Sequence, residues 1–206
     1  ALHLRRRGAE ALLRETLHWL EARARPLEDP GLAARLNENL FFAYFFSQGD
    51  CLDTGAPVMV TSRSPLYYVS GAFWSRDAFL WSFPAILLVD VERARQLLRR
   101  CLPRYLPHIA DHALYLNGIP LYPGFELDQA AAPILALWRY VYETEDEALL
   151  REPAIAEAIP TLLQEIEAHR DPDTGLYETF LLPTDDPTDY PLVIYDNVLV
   201  WAAFRA

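Results

Sequence analysis

Three segments of the chain, residues 77–89, 126–142 and 192–204, are apolar on almost every side when wound as helices. A helix of that kind is buried all round, whereas one with a charged stripe keeps a face in water. Each apolar segment follows a segment read as an outer helix: 32–46, 91–104 and 154–169. The second of these carries Arg93, Arg95, Arg99 and Arg100 on its wet side. The spacing therefore predicts outer helix, long loop and inner helix, three times over, with a period of about 45–65 residues. Helical hairpins repeated at that period stack into a solenoid or close into a toroid. The expected fold class is all-α, a toroid of helical hairpins. Each long loop enters the N-terminal end of an inner helix, so all three lie on one face, where a site is expected.

Ahead of the first hairpin, residues 9–25 read as a helix, with Leu12, Leu13, Leu17, Trp19 and Leu20 at helical spacing and Pro26 as its stop. Between the first two helices of the repeat, residues 47–75 hold Gly49, Gly55, Pro57, Pro65 and Gly71, with β-like pieces at 58–61 and 66–69. Loops this long are uncommon and often functional.

Charge narrows the partners. The 206 residues include 18 basic ones, all arginine, against 29 acidic ones, a net charge of −11. Nucleic acid is not expected, because phosphate binding needs a basic face. No membrane span is expected either: the longest apolar run, residues 78–89, is too short and contains Ser82 and Pro84. Cys51 and Cys101 are expected to be buried free thiols. Arg5-Arg6-Arg7 runs into Gly8-Ala9-Glu10 rather than an apolar segment, so no signal peptide is read and a cytoplasmic location is expected. The chain opens on Ala1 instead of methionine, which points to a piece of a longer gene product.

The loops share a chemistry. The first ends in Phe73-Trp74-Ser75-Arg76-Asp77 and the second in Phe125-Glu126-Leu127-Asp128; the third carries Gly175-Leu176-Tyr177-Glu178, then Asp185, Asp186 and Asp189, then Tyr195-Asp196-Asn197. Aromatic faces beside planar donors and carboxylate acceptors suit a sugar ring, which stacks its C–H face and exchanges hydrogen bonds through paired hydroxyls. Trp74, Arg76, Asp77, Phe125, Glu126, Asp128, Tyr177, Tyr195 and Asn197 are accordingly expected to bind substrate. The plainer alternative is that Asp77, Asp128 and Asp196 serve the first turns of helices, where capping and the helix dipole favour a carboxylate by roughly 0.3–1 kcal/mol.

These residues carry a resemblance. Trp74-Ser75-Arg76-Asp77 resembles the Trp-x-Arg-Asp motif of six-hairpin (α/α)6 glycosidases, especially the glucoamylases of glycoside hydrolase family 15 and the glycogen-debranching enzymes. Phe125-Glu126-Leu127-Asp128 resembles the segment opening their second inner helix, and Gly175-Leu176-Tyr177-Glu178 the segment holding their general acid. The resemblance covers residues 30–206 and implies an inverting hydrolase of an α-linked glucoside or related oligo- or polysaccharide, without cofactor or metal. It implies Glu178 as the acid. Trehalases and family 63 glucosidases place an aspartate there, which keeps Asp185, Asp186 and Asp189 as competitors. It further implies that only about three of six hairpins are present, that residues 29–206 form the N-terminal half of the toroid, and that the catalytic base lies in the missing half. Residues 1–28 would be the linker helix to an N-terminal β-sandwich domain. A non-catalytic carbohydrate-binding or assembly half-toroid is the rival reading, as is a sugar epimerase or isomerase using His108 and His112.

Other motifs are weak. His108 and His112 are four apart with no third ligand nearby in sequence, so zinc is not expected. Asp171-Pro172-Asp173-Thr174-Gly175 mimics a calcium loop but has Leu182 where the bidentate glutamate belongs, and reads as a turn.

Overall fold

In the computed structural model, which describes residues 6–61 and 71–206, the chain is a two-layered arrangement of helical hairpins. Helix α1 spans Ala9–Glu21 and α2 spans Pro30–Phe46. Asp29 starts α2 because its carboxylate accepts the Gly31 and Leu32 amides while Pro30 supplies a helical φ at the first position. Trp19 of α1 packs on Phe41, Tyr44 and Phe45 of α2, which absorbs much of that helix's aromatic row. The first inner helix starts as a π-helical turn, Asp77–Ser82, and continues as α3, Phe83–Val89. Pro84 has no N–H to return to the carbonyl four residues earlier and its ring crowds that carbonyl, so the widened turn just ahead of it relieves both.

Helix α4, Val91–Tyr105, is capped by Asp90, whose side chain accepts the Arg93 amide. Then come α5, Leu127–Thr144, α6, Pro153–Glu167, and α7, Ile194–Arg205. Outer helices α4 and α6 touch, α5 lies against both the π-helical turn and α7, and α6 backs α5. Between the layers lie Phe79, Phe83 and Ile86, Leu97, Leu98 and Leu102 of α4, Ala130, Ala131 and Ala132 of α5, and Leu162 and Ile166 of α6, all buried. The three alanines leave α5 thin enough for close helix approach.

The long loops contain more strand than a purely helical reading provides. Strands β1, Gln48–Asp50, and β2, Pro57–Met59, form an antiparallel pair, so the expected β-like piece at 58–61 is present in shortened form. The piece expected at 66–69 lies outside the described residues. Strand β3, Ala72–Phe73, pairs with β4, Asp111–Tyr115, which pairs with β5, Pro120–Phe125. The long loop between the helices expected at 91–104 and 126–142 is therefore largely a hairpin. Gly118 at its turn has φ +90 and a side chain there would strike the Arg104 carbonyl, so the Gly and Pro content marks a tight turn between strands.

Two further expectations need correction. The inner helices are not buried all round: Trp81 before α3, Trp138 and Tyr142 on α5, and Val198 and Trp201 on α7 are exposed, Trp201 by 62%. Their apolar second faces have no cover among the described residues. Cys101 is a buried free thiol, but Cys51 is only half-buried. No helix among the described residues is long and apolar enough to cross a membrane.

Candidate active site

The three loops converge on Arg76. Strand β3 delivers Trp74-Ser75-Arg76 into the start of the first inner helix, and the Arg76 amide donates to Gln129 Oε1 of α5 at 2.7 Å. Its guanidinium then reaches carboxylates from two other loops. Nη1 donates to Asp128 Oδ2 at 3.1 Å and Glu126 Oε2 at 3.3 Å, and Nη2 to Asp185 Oδ1 at 2.7 Å. Asp77 Oδ2 lies 3.5 Å from Nε, an ion pair without hydrogen-bond geometry. The face of Trp81 covers the guanidinium carbon at 5.5 Å.

Asp185 arrives through a tight turn in which its amide donates to the Leu182 carbonyl and the Leu182 amide to the Asp186 carbonyl. Its backbone sits in the left-handed region at φ 68, a conformation that aspartate tolerates better than most residues. Thr179 ties this loop to α5 by accepting the Leu127 amide on its hydroxyl. Glu126 is held from several sides: by Arg76, by Gln129 Nε2 at 3.2 Å, and by His112 Nδ1, which meets its other oxygen. Trp74 stands edge-on to His112 at 5.9 Å.

Electrostatically the cluster has more carboxylate than cation. Burial pushes the Asp77 carboxyl up to about 6, against the pull of Arg76. Asp196, in the first turn of α7, is pushed up to about 7 by burial and then by the Asp128 charge. Asp128 is also raised, chiefly by burial. His112 is raised by its bond to Glu126. Burial and the charges of Asp128 and Asp196 raise the phenol of Tyr195, which shares the first turn of α7 with Asp196.

Several polar atoms here are buried with no hydrogen-bond partner in the protein. Seven such side-chain atoms occur among the described residues, and five belong to this site: Trp74 Nε1, Ser75 Oγ, Arg76 Nε, Asp77 Oδ2 and Asp196 Oδ1. Leaving a buried polar atom unpaired typically costs about 1–3 kcal/mol, so such a concentration marks a place where water or a ligand supplies the bonds.

Of the residues expected from sequence to bind substrate, Trp74, Arg76, Asp77, Glu126, Asp128 and Tyr195 come together. Three do not. Phe125 stacks on His169 at 3.5 Å and lines a separate hollow of about 460 Å³ with His108, Asp111 and Glu157. Tyr177 turns its hydroxyl to Glu167, and Asn197 bonds the Tyr177 amide and carbonyl, pinning the third loop to α7. Among the candidates for the acid, Asp185 joins the cluster. Glu178 is exposed and its carboxylate makes no bond among the described residues; Asp186 and Asp189 are exposed too, Asp186 accepting the Thr184 hydroxyl.

His112, Gln129 and Asp196 were missed as site residues. His112 reads in sequence as a lone histidine because the residues that meet it come from other segments. It does have carboxylate neighbours: donor atoms of His112, Glu126 and Asp185 lie within 4.8 Å of one another. The Arg76 guanidinium already occupies Glu126 and Asp185, so a cation placed there would abut a permanent positive charge. His108 pairs with Asp111 at 3.2 Å, so the two histidines serve different surroundings. Asp171 accepts the Asp173 and Thr174 amides and makes a turn.

The architecture that these hairpins define is an α/α-toroid fold. Among solved structures the chain is similar to a metal-independent α-mannosidase of Streptococcus pneumoniae, from a family described in the processing of N-linked glycans and seen in a non-productive complex with α-1,6-mannobiose. The TM-score is 0.67 at 15% identity, over 96% of this chain and 55% of the mannosidase chain, so this chain spans about half the length of its neighbour. The likeness is one of fold. No family model and no curated protein matches the sequence.

Proposed function

We propose that the chain is the N-terminal, sugar-binding half of a toroidal glycoside hydrolase acting on an α-linked hexoside. The observation that carries this is the Arg76 cluster, where five buried polar atoms make no hydrogen bond within the protein beside indole and phenol rings. Sugar hydroxyls are both donors and acceptors, so one ring satisfies guanidinium, indole N–H and carboxylate together. Arg76 and Asp77 hold hydroxyls of the terminal sugar and transfer no proton. An α-mannoside is the first substrate to test, on the fold likeness to a mannosidase, and an α-glucoside the second, on the short motifs.

The general acid falls to Asp185 ahead of Glu178. Asp185 touches the cluster and its side chain is 45% exposed, which leaves it reachable by a leaving-group oxygen. An inverting reaction needs a second carboxylate roughly 6.5–9.5 Å from the acid, with a water between. We assign that base to the segment that covers the apolar faces of α3, α5 and α7, the other half of the toroid. Helix α1 acts as a linker toward an N-terminal β-sandwich, a role that the exposed Leu13 and Leu17 support. Calorimetric titration with α-1,6-mannobiose and with an α-linked glucose disaccharide tests the reading. Saturable binding that Arg76→Met abolishes is expected, and no binding of either sugar by the folded protein overturns it.

A further inference from the structure

We propose that Asp196 is a ligand-contacting residue of this site, its buried Oδ1 taking a hydroxyl of the bound sugar; the inference rests on the sugar-binding reading above. Asp196 is 1% exposed and its Oδ1 has no partner in the protein. The ordinary reasons for an aspartate at a helix start are the helix dipole and capping, the latter as Asp29 and Asp90 do at the N-caps of α2 and α4 by accepting backbone amides. Asp196 does not cap: α7 has Val193 at its N-cap and no side-chain cap bond. The anchoring of this turn falls to its neighbour Asn197, which bonds Tyr177 and the Val193 carbonyl. A buried carboxylate that neither caps nor pairs weakens the fold, because its desolvation is uncompensated. Such a group persists where a ligand supplies the missing bond.

Its position agrees. Asp196 is buried in the first turn of α7, which packs on α5, the helix whose own first turn carries Asp128, and the charges of Asp128, Arg76 and Glu126 all bear on it. With its carboxyl near neutrality, it can accept a hydroxyl proton when charged and donate when protonated.

The test compares Asp196→Asn and Asp196→Ala with Asn197→Ala, using thermal unfolding and calorimetric titration with α-1,6-mannobiose at a temperature where circular dichroism shows each variant folded. Both Asp196 variants are expected to melt no lower than the parent and to bind at least about tenfold more weakly, while Asn197→Ala melts lower. Parent-like affinity in the folded Asp196 variants overturns this inference and leaves the sugar-binding reading standing. If the unaltered protein binds none of the α-linked disaccharides, both fall together.

Discussion

Arg76 Nη1 lies 3.1 Å from Asp128 Oδ2, with each side chain only 3% exposed. The bond ties the start of the first inner helix to the start of the second and holds the loop face together. An ion pair removed from water at this depth is roughly neutral against an apolar replacement of both partners, but losing one partner strands the other. Arg76→Met leaves Asp128, Glu126 and Asp185 without their shared cation. Urea unfolding should show a loss of about 3–5 kcal/mol. Arg76→Lys should recover only part of it, since an ammonium does not reproduce the planar fork. A loss under about 1 kcal/mol for Arg76→Met would show that solvent or a counter-ion already does the pairing.

Stability should fall as pH rises toward neutrality. Asp77 and Asp196 titrate in the fold at about 6 and about 7, above the ordinary carboxylate value. The folded chain therefore binds their protons more tightly than the unfolded one. The stability they confer is complete below the unfolded value of about 4 and is lost as pH passes through 6 and 7. Raised His112 acts with the same sign, losing its contribution as pH rises through its folded value. Thermal melts should be higher at about pH 5 than at about pH 8, each kcal/mol of difference appearing as about 2–4 °C. Asp77→Asn and Asp196→Asn together should flatten the profile; an unchanged slope would assign it to other groups.

Asp77→Asn should also weaken sugar binding, by about tenfold, because a charge-assisted bond to a hydroxyl becomes a neutral one. Titration of the single variant beside the parent measures this. Undiminished affinity would leave Asp77 as a partner of Arg76 alone.

Glu178 and Asp185 make opposite predictions about the acid. On the glycosidase reading proposed above, Asp185→Asn in a protein that carries the rest of the toroid should lose most activity on substrates with poor leaving groups and much less on activated aryl glycosides or glycosyl fluorides, which need little protonation. Glu178→Gln should change both by less than about twofold, given its exposure and lack of contact with the cluster. The reverse pattern would return the role to Glu178.

The apolar faces of the inner helices, which have no cover among the described residues, should make this chain self-associate. Sedimentation velocity should show mass rising with concentration. Replacing exposed Trp138 and Trp201 by serine should suppress the association without lowering the melting temperature, since neither ring is in the buried core. A loss of several degrees would mean that these rings support the fold.

The sequence by itself determined the hairpin rhythm, because whether a helix is apolar all round or striped is a property of local spacing. The outer helices begin close to the segments read at 32–46 and 91–104, because the caps that start them, Asp29 and Asp90, act within three residues. The motif Trp74-Ser75-Arg76-Asp77 and the acidic ends of the second and third loops were legible as a shared face. Only the tertiary structure decided which of these residues meet. The contacts of Arg76 with Asp128 and Asp185 span 52 and 109 residues of chain, and no periodicity encodes such a distance. Phe125 carries the same composition signal as Trp74, but its ring lies against His169, on a separate hollow. Glu178 and Asp185 are equally acidic on paper; the turn at residues 182–186 brings one to Arg76, and the other stays in solvent. Asp196 resembles a cap until the structure shows that it makes no cap bond and leaves Oδ1 buried without a partner. Burial and pairing depend on what the rest of the chain brings alongside, so residue type and local spacing could locate the face but not select its members.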